Sequence, residues 1–209
     1  MRKISQGLLS AIGNTPIVRI PFKCDGQVFA KLEYLNPGGS IKDRSALFII
    51  EEAERKGLLK PGGTIIESSS GNQGVACAMI GALKGYKVII TASPAMSDEK
   101  VKTIKAYGAD VIHCPAVPIH HKESRHSKAV ELLKNTPNSF MPNQYFNLSN
   151  PKAHYSTLGP EIWKQTKGKI THFFAAAGTG GTISGAGKYL KEKNKNIKII
   201  AVDVDTSFH

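Results

Sequence analysis

Short β-forming runs alternate with helix-patterned stretches from Val28 to Val202, and this alternation constrains the fold more than any other feature of the chain. Strand character is found at 28–32, 64–67, 87–91, 110–113, 139–141, 171–177 and 197–202. Helical spacing is found at 45–56, 72–83, 99–107, 127–134, 151–164 and 182–191, with Gly57, Gly85 and Gly108 standing where helices close. Such an order predicts an α/β protein with parallel strands joined through helices, whose ligands lie at the carboxyl ends of the strands. Residues 1–27 read as a short helical start and a turn at Gly13-Asn14-Thr15-Pro16, where the proline forbids helix. The loops that directly follow strands are therefore the places to look for chemistry.

The first such loop is Asn36-Pro37-Gly38-Gly39-Ser40-Ile41-Lys42-Asp43-Arg44. Pro37 fixes its own φ, the glycines open conformations closed to other residues, and Ser40 can cap the helix that follows. A lysine at a helix entry sits near the positive end of the helix dipole, and burial lowers its pKa further, towards the free amine that carbonyl chemistry requires. Taken alone, the same nine residues also read as ordinary turn punctuation.

The second loop is Ser68-Ser69-Ser70-Gly71-Asn72-Gln73-Gly74, where hydroxyls, amides and a helix N-terminus converge. It reads equally as a carboxylate or phosphate site and as a polar capping turn. The third, Gly178-Thr179-Gly180-Gly181-Thr182, lets backbone wrap an anion. It is not a nucleotide loop: five residues separate Gly181 from Gly187-Lys188, Tyr189 replaces the required serine or threonine, and Ile183 stands where a dinucleotide loop has its third glycine. A single phosphate fits it better.

Charge and cysteines narrow the function classes. The formal charge is +12, but the basic residues are scattered and accompany no nucleic-acid motif, so attraction of anionic small molecules is the expectation rather than nucleic-acid binding. Cys24, Cys77 and Cys114 form no CxxC pair and fit a reducing, cytoplasmic setting. Met1-Arg2-Lys3 followed by Leu8-Leu9 is too interrupted for a signal peptide, and no apolar run approaches the roughly 20 residues of a membrane span. Cys114-Pro115-Ala116-Val117-Pro118-Ile119-His120-His121, with His113 and His126 nearby, has ligand types without a standard spacing, so a surface loop is expected there and no metal.

A lysine, a polar anion-binding turn and a phosphate-sized glycine cradle together suggest pyridoxal phosphate. From Ile12-Gly13-Asn14-Thr15-Pro16 to its last strand the chain resembles the cysteine synthase and cystathionine β-synthase family of pyridoxal-phosphate enzymes, of the tryptophan synthase β-like fold. The resemblance implies that Lys42 takes the cofactor's aldehyde and moves the substrate's α-proton. It implies that Asn72 faces the ring oxygen, that Gly178, Thr179, Gly180, Gly181 and Thr182 hold the phosphate, and that Ser69, Ser70, Gln73 and Gln144 surround the substrate carboxylate. It further implies a larger cofactor-binding domain from 1–44 and 146–209, a smaller substrate-loop domain at 45–145, and a homodimer for the full-length enzyme.

Met96-Ser97-Asp98-Glu99-Lys100-Val101 and Asn150-Pro151-Lys152-Ala153-His154-Tyr155 resemble cystathionine β-synthase, whereas Gly159-Pro160-Glu161-Ile162-Trp163 resembles cysteine synthase. The expected reaction is β-replacement on serine with homocysteine, with O-acetylserine and sulfide as the alternative. Gln73 departs from the family's usual threonine. The family's core continues beyond His209, so the second domain is expected to be incomplete and no residue is assigned to face the pyridine nitrogen. A non-catalytic, truncated chain is the alternative of another class.

Overall fold

The computed structural model describes residues 7–203, and its contacts divide the chain into two compact units. The first comprises Met1–Pro37 with Leu148–His209, and the second Gly38–Asn147. Lys42, which the sequence grouped with 1–44, falls by contacts in the second unit.

The first unit opens with an antiparallel hairpin of β1 (Ile17–Ile20) and β2 (Val28–Lys31), paired Ile17 to Lys31. The alternating pattern missed β1, because its four residues are mostly exposed and lie between Pro16 and Pro21. The hairpin is tied down by Lys31, whose Nζ donates to the Thr15 carbonyl at 2.6 Å and to Glu161 Oε2 at 2.7 Å.

The second unit is the parallel layer. Its elements are α1 (Lys42–Arg55), β3 (Thr64–Ser68), α2 (Asn72–Lys84), β4 (Lys87–Ala92), α3 (Asp98–Ala106), β5 (Asp110–His113), α4 (Arg125–Asn135) and β6 (Ser139–Phe140). The strand order is β5-β4-β3-β6, every pairing parallel. Every residue of β3 is buried, as a central strand covered on both faces requires. Ile65, Ile66, Met79, Ile80, Ile90 and Ile104 make the core, and a Cβ on Gly81 would strike Val88, so only glycine lets α2 lie this close to β4. Gly85, at φ 75°, ends α2 in the left-handed cap expected of it.

Helix α1 starts at Lys42 rather than after it. The Lys42 N–H donates to Ser40 Oγ at 3.1 Å, and the Asp43 carboxylate accepts the Gly38 N–H at 2.6 Å, so the turn itself starts the helix. The chain then returns to the first unit through α5 (Ser149–Ser156), α6 (Leu158–Gln165), β7 (His172–Ala176), α7 (Gly181–Lys193) and β8 (Lys198–Val202). The single helix expected over 151–164 is two, broken at Thr157 (φ −121°, ψ −67°). Pro160 has no N–H for the Ser156 carbonyl, so it is accommodated in the first turn of a new helix. Strands β7 and β8 form a separate parallel pair covered by α7 through buried Ala186 and Leu190.

The three cysteines are unpaired, and the Cys114 thiol is buried against the Ile112 carbonyl. Among the described residues no helix is long and apolar enough to cross a membrane.

Helix α7 meets α5 at Gly185, where an added Cβ would collide with the backbone carbonyl of Pro151. Gly185→Ala is expected to lower unfolding free energy by about 2 kcal/mol through overpacking, measured by urea denaturation; an unchanged midpoint would show that α5 and α7 can separate freely.

Candidate active site

Lys42, the first residue of α1, is half-buried, and its Nζ has no hydrogen-bond acceptor among the described residues. Burial holds its pKa below the ordinary lysine value, and the charge of Glu67 only partly offsets that. A desolvated amine without a partner is suited to react with a carbonyl carbon.

Strand β3 ends at the point where the strand order reverses: β4 and β5 lie to one side of it and β6 to the other. Ligands of parallel sheets bind outside such switch points, and the loops after β3 and β6 are the serine loop and the segment carrying Gln144. They are joined by Glu67, a fully buried carboxylate whose Oε2 accepts the Asn143 N–H at 2.7 Å and which also accepts the Gln144 N–H. Burial pushes the Glu67 carboxyl from 4.5 up to about 7, against the pull of those two amides and of Lys42. Glu67, Ser68, Arg125, His126, Tyr145 and Phe146 line a cleft beside this junction.

In the serine loop, Ser69 Oγ accepts the N–H groups of Gly71 and Gly74, each at 3.2 Å. Ser70 Oγ accepts the Ser93 N–H at 2.8 Å and Arg125 Nη1 at 3.0 Å. A hydroxyl with both lone pairs engaged can only donate, and neither proton has an acceptor among the described residues. Asn72, at the start of α2, is exposed, and its side chain makes no hydrogen bond among the described residues. Gln73 points the other way: its amide is buried, accepting from Ser45 Oγ at 3.4 Å and donating to the Cys77 sulfur at 3.7 Å. Gln144 is buried on the far side of the junction.

In the first unit the glycine loop runs from β7 into α7. Gly180 precedes α7 at φ 74° and offers no capping side chain; the Gly181 N–H makes a long contact of 3.4 Å to Thr179 Oγ1, and a helix N-terminus of this kind suits an anion. A Cβ at Gly178 would meet open space, whereas one at Gly181 would strike the Asn150 side chain. Asn150 Nδ2 donates to Thr179 Oγ1 at 2.9 Å, and Thr182 Oγ1 lies 3.4 Å from His154 Nε2. The loop is thus a cradle of glycine backbone and two fixed threonine hydroxyls, which fits a phosphate monoester.

The sequence missed Glu67, Arg125 and the support of Thr179 by Asn150. A carboxylate at the end of an apolar strand was the one available signal for Glu67. Among the described residues no group of three or more His, Cys, Asp or Glu side chains is placed to hold a metal.

A lysine amine whose pKa burial lowers and serine hydroxyls held as donors in the second unit, and a phosphate-sized cradle in the first, are features that suit a pyridoxal-phosphate enzyme. Residues 8–208 match the family described as pyridoxal-phosphate dependent enzyme, and the chain belongs to it. It is 52% identical over 209 residues to a cystathionine β-synthase of Apis mellifera, covering 96% of this chain and 41% of that protein. It is 42% identical over 192 residues to cysteine synthase 1 of Neurospora crassa, covering 90% of this chain and 51% of that one. A solved structure of a hydrogen sulfide-producing enzyme from Fusobacterium nucleatum superposes with a TM-score of 0.93 at 42% identity, over 99% of this chain and 68% of that one. The chain thus spans about half or less of these two curated relatives.

The raised Glu67 pKa carries a pH signature. The folded state holds this proton up to about 7 while the unfolded state releases it near 4.5, so the contribution of Glu67 to stability is fully present below 4.5 and is lost as pH rises to and through 7. The loss attributable to Glu67 is on the order of 3 kcal/mol. Glu67→Gln is expected to flatten this slope and to stabilise the protein at pH 8, read from urea midpoints across pH; parallel wild-type and variant profiles would contradict the buried carboxylate.

Proposed function

We propose that the chain serves β-replacement on serine with homocysteine as the incoming thiol, giving cystathionine. The observation that carries this reading is the desolvated Lys42 amine in the same unit as two serine hydroxyls that can only donate. The likeness to the honeybee cystathionine β-synthase supports the choice of substrates.

Pyridoxal phosphate, when bound, supplies an electron sink for the pair left at the substrate's α-carbon. Lys42 Nζ would be the group that holds the cofactor through its aldehyde, and once released it would accept the α-proton as a general base. Burial lowers its pKa, in the direction that both tasks require. Ser69 and Ser70 donate to the substrate carboxylate, with Gln144 on its other side, and this fixes the α-proton towards Lys42. Asn72 donates to the ring oxygen. In the first unit Gly178, Thr179, Gly180, Gly181 and Thr182 hold the phosphate by helix amides and hydroxyls. Gln73 acts from beneath the loop, linking the start of α2 to α1 through Ser45 while its amide also meets Cys77 one turn on in α2. The three unpaired thiols favour a reducing, cytoplasmic setting.

A second reading, cysteine formation from O-acetylserine and sulfide, is favoured by 43% identity over 210 residues to a cysteine synthase of Staphylococcus aureus. Assay of the cofactor-loaded chain with both substrate pairs separates them. A higher kcat/KM for serine with homocysteine is expected, and Lys42→Ala should lower turnover by at least about 100-fold. Preference for O-acetylserine with sulfide would establish the second reading, and turnover of neither pair would overturn both.

A further inference from the structure

We propose that Arg125 is a positioning residue for a substrate carboxylate, acting through the hydroxyl of Ser70. The inference rests on the reading of the 69–74 loop as the carboxylate subsite. Arg125 stands 55 positions from Ser70 in the chain, yet its Nη1 donates to Ser70 Oγ at 3.0 Å while the Ser93 N–H donates to the same oxygen at 2.8 Å.

With both lone pairs taken, Ser70 can offer only its proton, and a cationic donor polarises the hydroxyl more than a neutral one. Ser69 makes the comparison: its oxygen is also doubly occupied, but by two neutral backbone amides. The two serines are therefore unequal donors, Ser70 being the one backed by charge.

Glu67 lines the same cleft as that charge, and no ion pair joins the two. Arg125 is half-buried and has no carboxylate within ion-pair distance among the described residues. An uncompensated guanidinium in a partly desolvated cleft attracts an anion more strongly than one in bulk water. Its reach is set by the backbone: Thr91 Oγ1 donates to the Arg125 carbonyl at 2.7 Å, and Ser124 caps α4 by accepting the Ser127 N–H at 3.1 Å. Arg125 thus supplies field and orientation, and Ser70 supplies the contact. The consequence is selectivity for an amino acid with a free α-carboxylate over its amide.

The test titrates the cofactor-loaded chain with L-serine and with L-serinamide, following the cofactor's absorption. Arg125→Met is expected to weaken L-serine binding about tenfold and to leave L-serinamide unchanged. Ser70→Ala should weaken L-serine as well, and adding Arg125→Met to it should cost little more, because the arginine acts through the hydroxyl. Arg125→Lys, which keeps the charge without the planar fork, should fall between wild type and Arg125→Met, and it carries the test if the methionine variant does not fold. Equal L-serine binding by wild type and variant, or equal weakening of both ligands, overturns the role of Arg125 alone. Failure of wild type to respond to either ligand overturns the β-replacement reading, and this inference with it.

Discussion

The Asp43 carboxylate, folded back onto the N–H of Gly38, is the contact on which the candidate site depends. It is fully buried, and a Cβ on Gly38 would lie 2.5 Å from one of its oxygens, so no other residue fits there without moving it. Gly39 turns the chain at φ 81°, and Ser40 receives the Lys42 N–H. The first residue of α1 is thereby fixed in direction before any ligand arrives. Its side chain has no partner of its own, and that is why burial acts on its pKa so directly.

The parallel sheet does the same for the serine loop. Because β3 is central and buried throughout, the residues at its carboxyl end are delivered with little freedom. Glu67 spends its oxygens on the backbone of the segment carrying Gln144, and the serines after it receive hydrogen bonds rather than making them. The groups left without a hydrogen-bond acceptor among the described residues are the Lys42 amine and two serine hydroxyl protons, while the serine oxygens are fully engaged. Such polar incompletion costs stability, and it is tolerated where a ligand completes it.

Much of the fold is legible because periodicity and glycine punctuation are local signals: α2 with its Gly85 cap and the run of β3, β4 and β5 need no long-range information. The candidate residues Lys42, Asn72 and Gly178 to Thr182 are legible for a related reason, since each sits in a loop before a helix or in that helix's first turn. What escapes is whatever depends on distant partners. Glu67 looks like a strand-end carboxylate until Asn143, 76 positions later, donates to it. Gln73 looks like a substrate-facing amide until Ser45 and Cys77 are seen to hold it inside. The break at Thr157 was readable in principle from Pro160, whereas β1 depends on its pairing with β2 and has too few buried residues to announce itself.

The central claim is that Lys42, among the many lysines of this chain, is the one whose amine reacts with the cofactor. Incubation of the chain with pyridoxal phosphate, borohydride reduction and peptide mapping by mass spectrometry tests this directly. The account predicts the reduced cofactor fixed on the peptide containing Lys42 and absent from Lys42→Ala. Cofactor fixed on other lysines at equal yield, or not fixed at all, would contradict it.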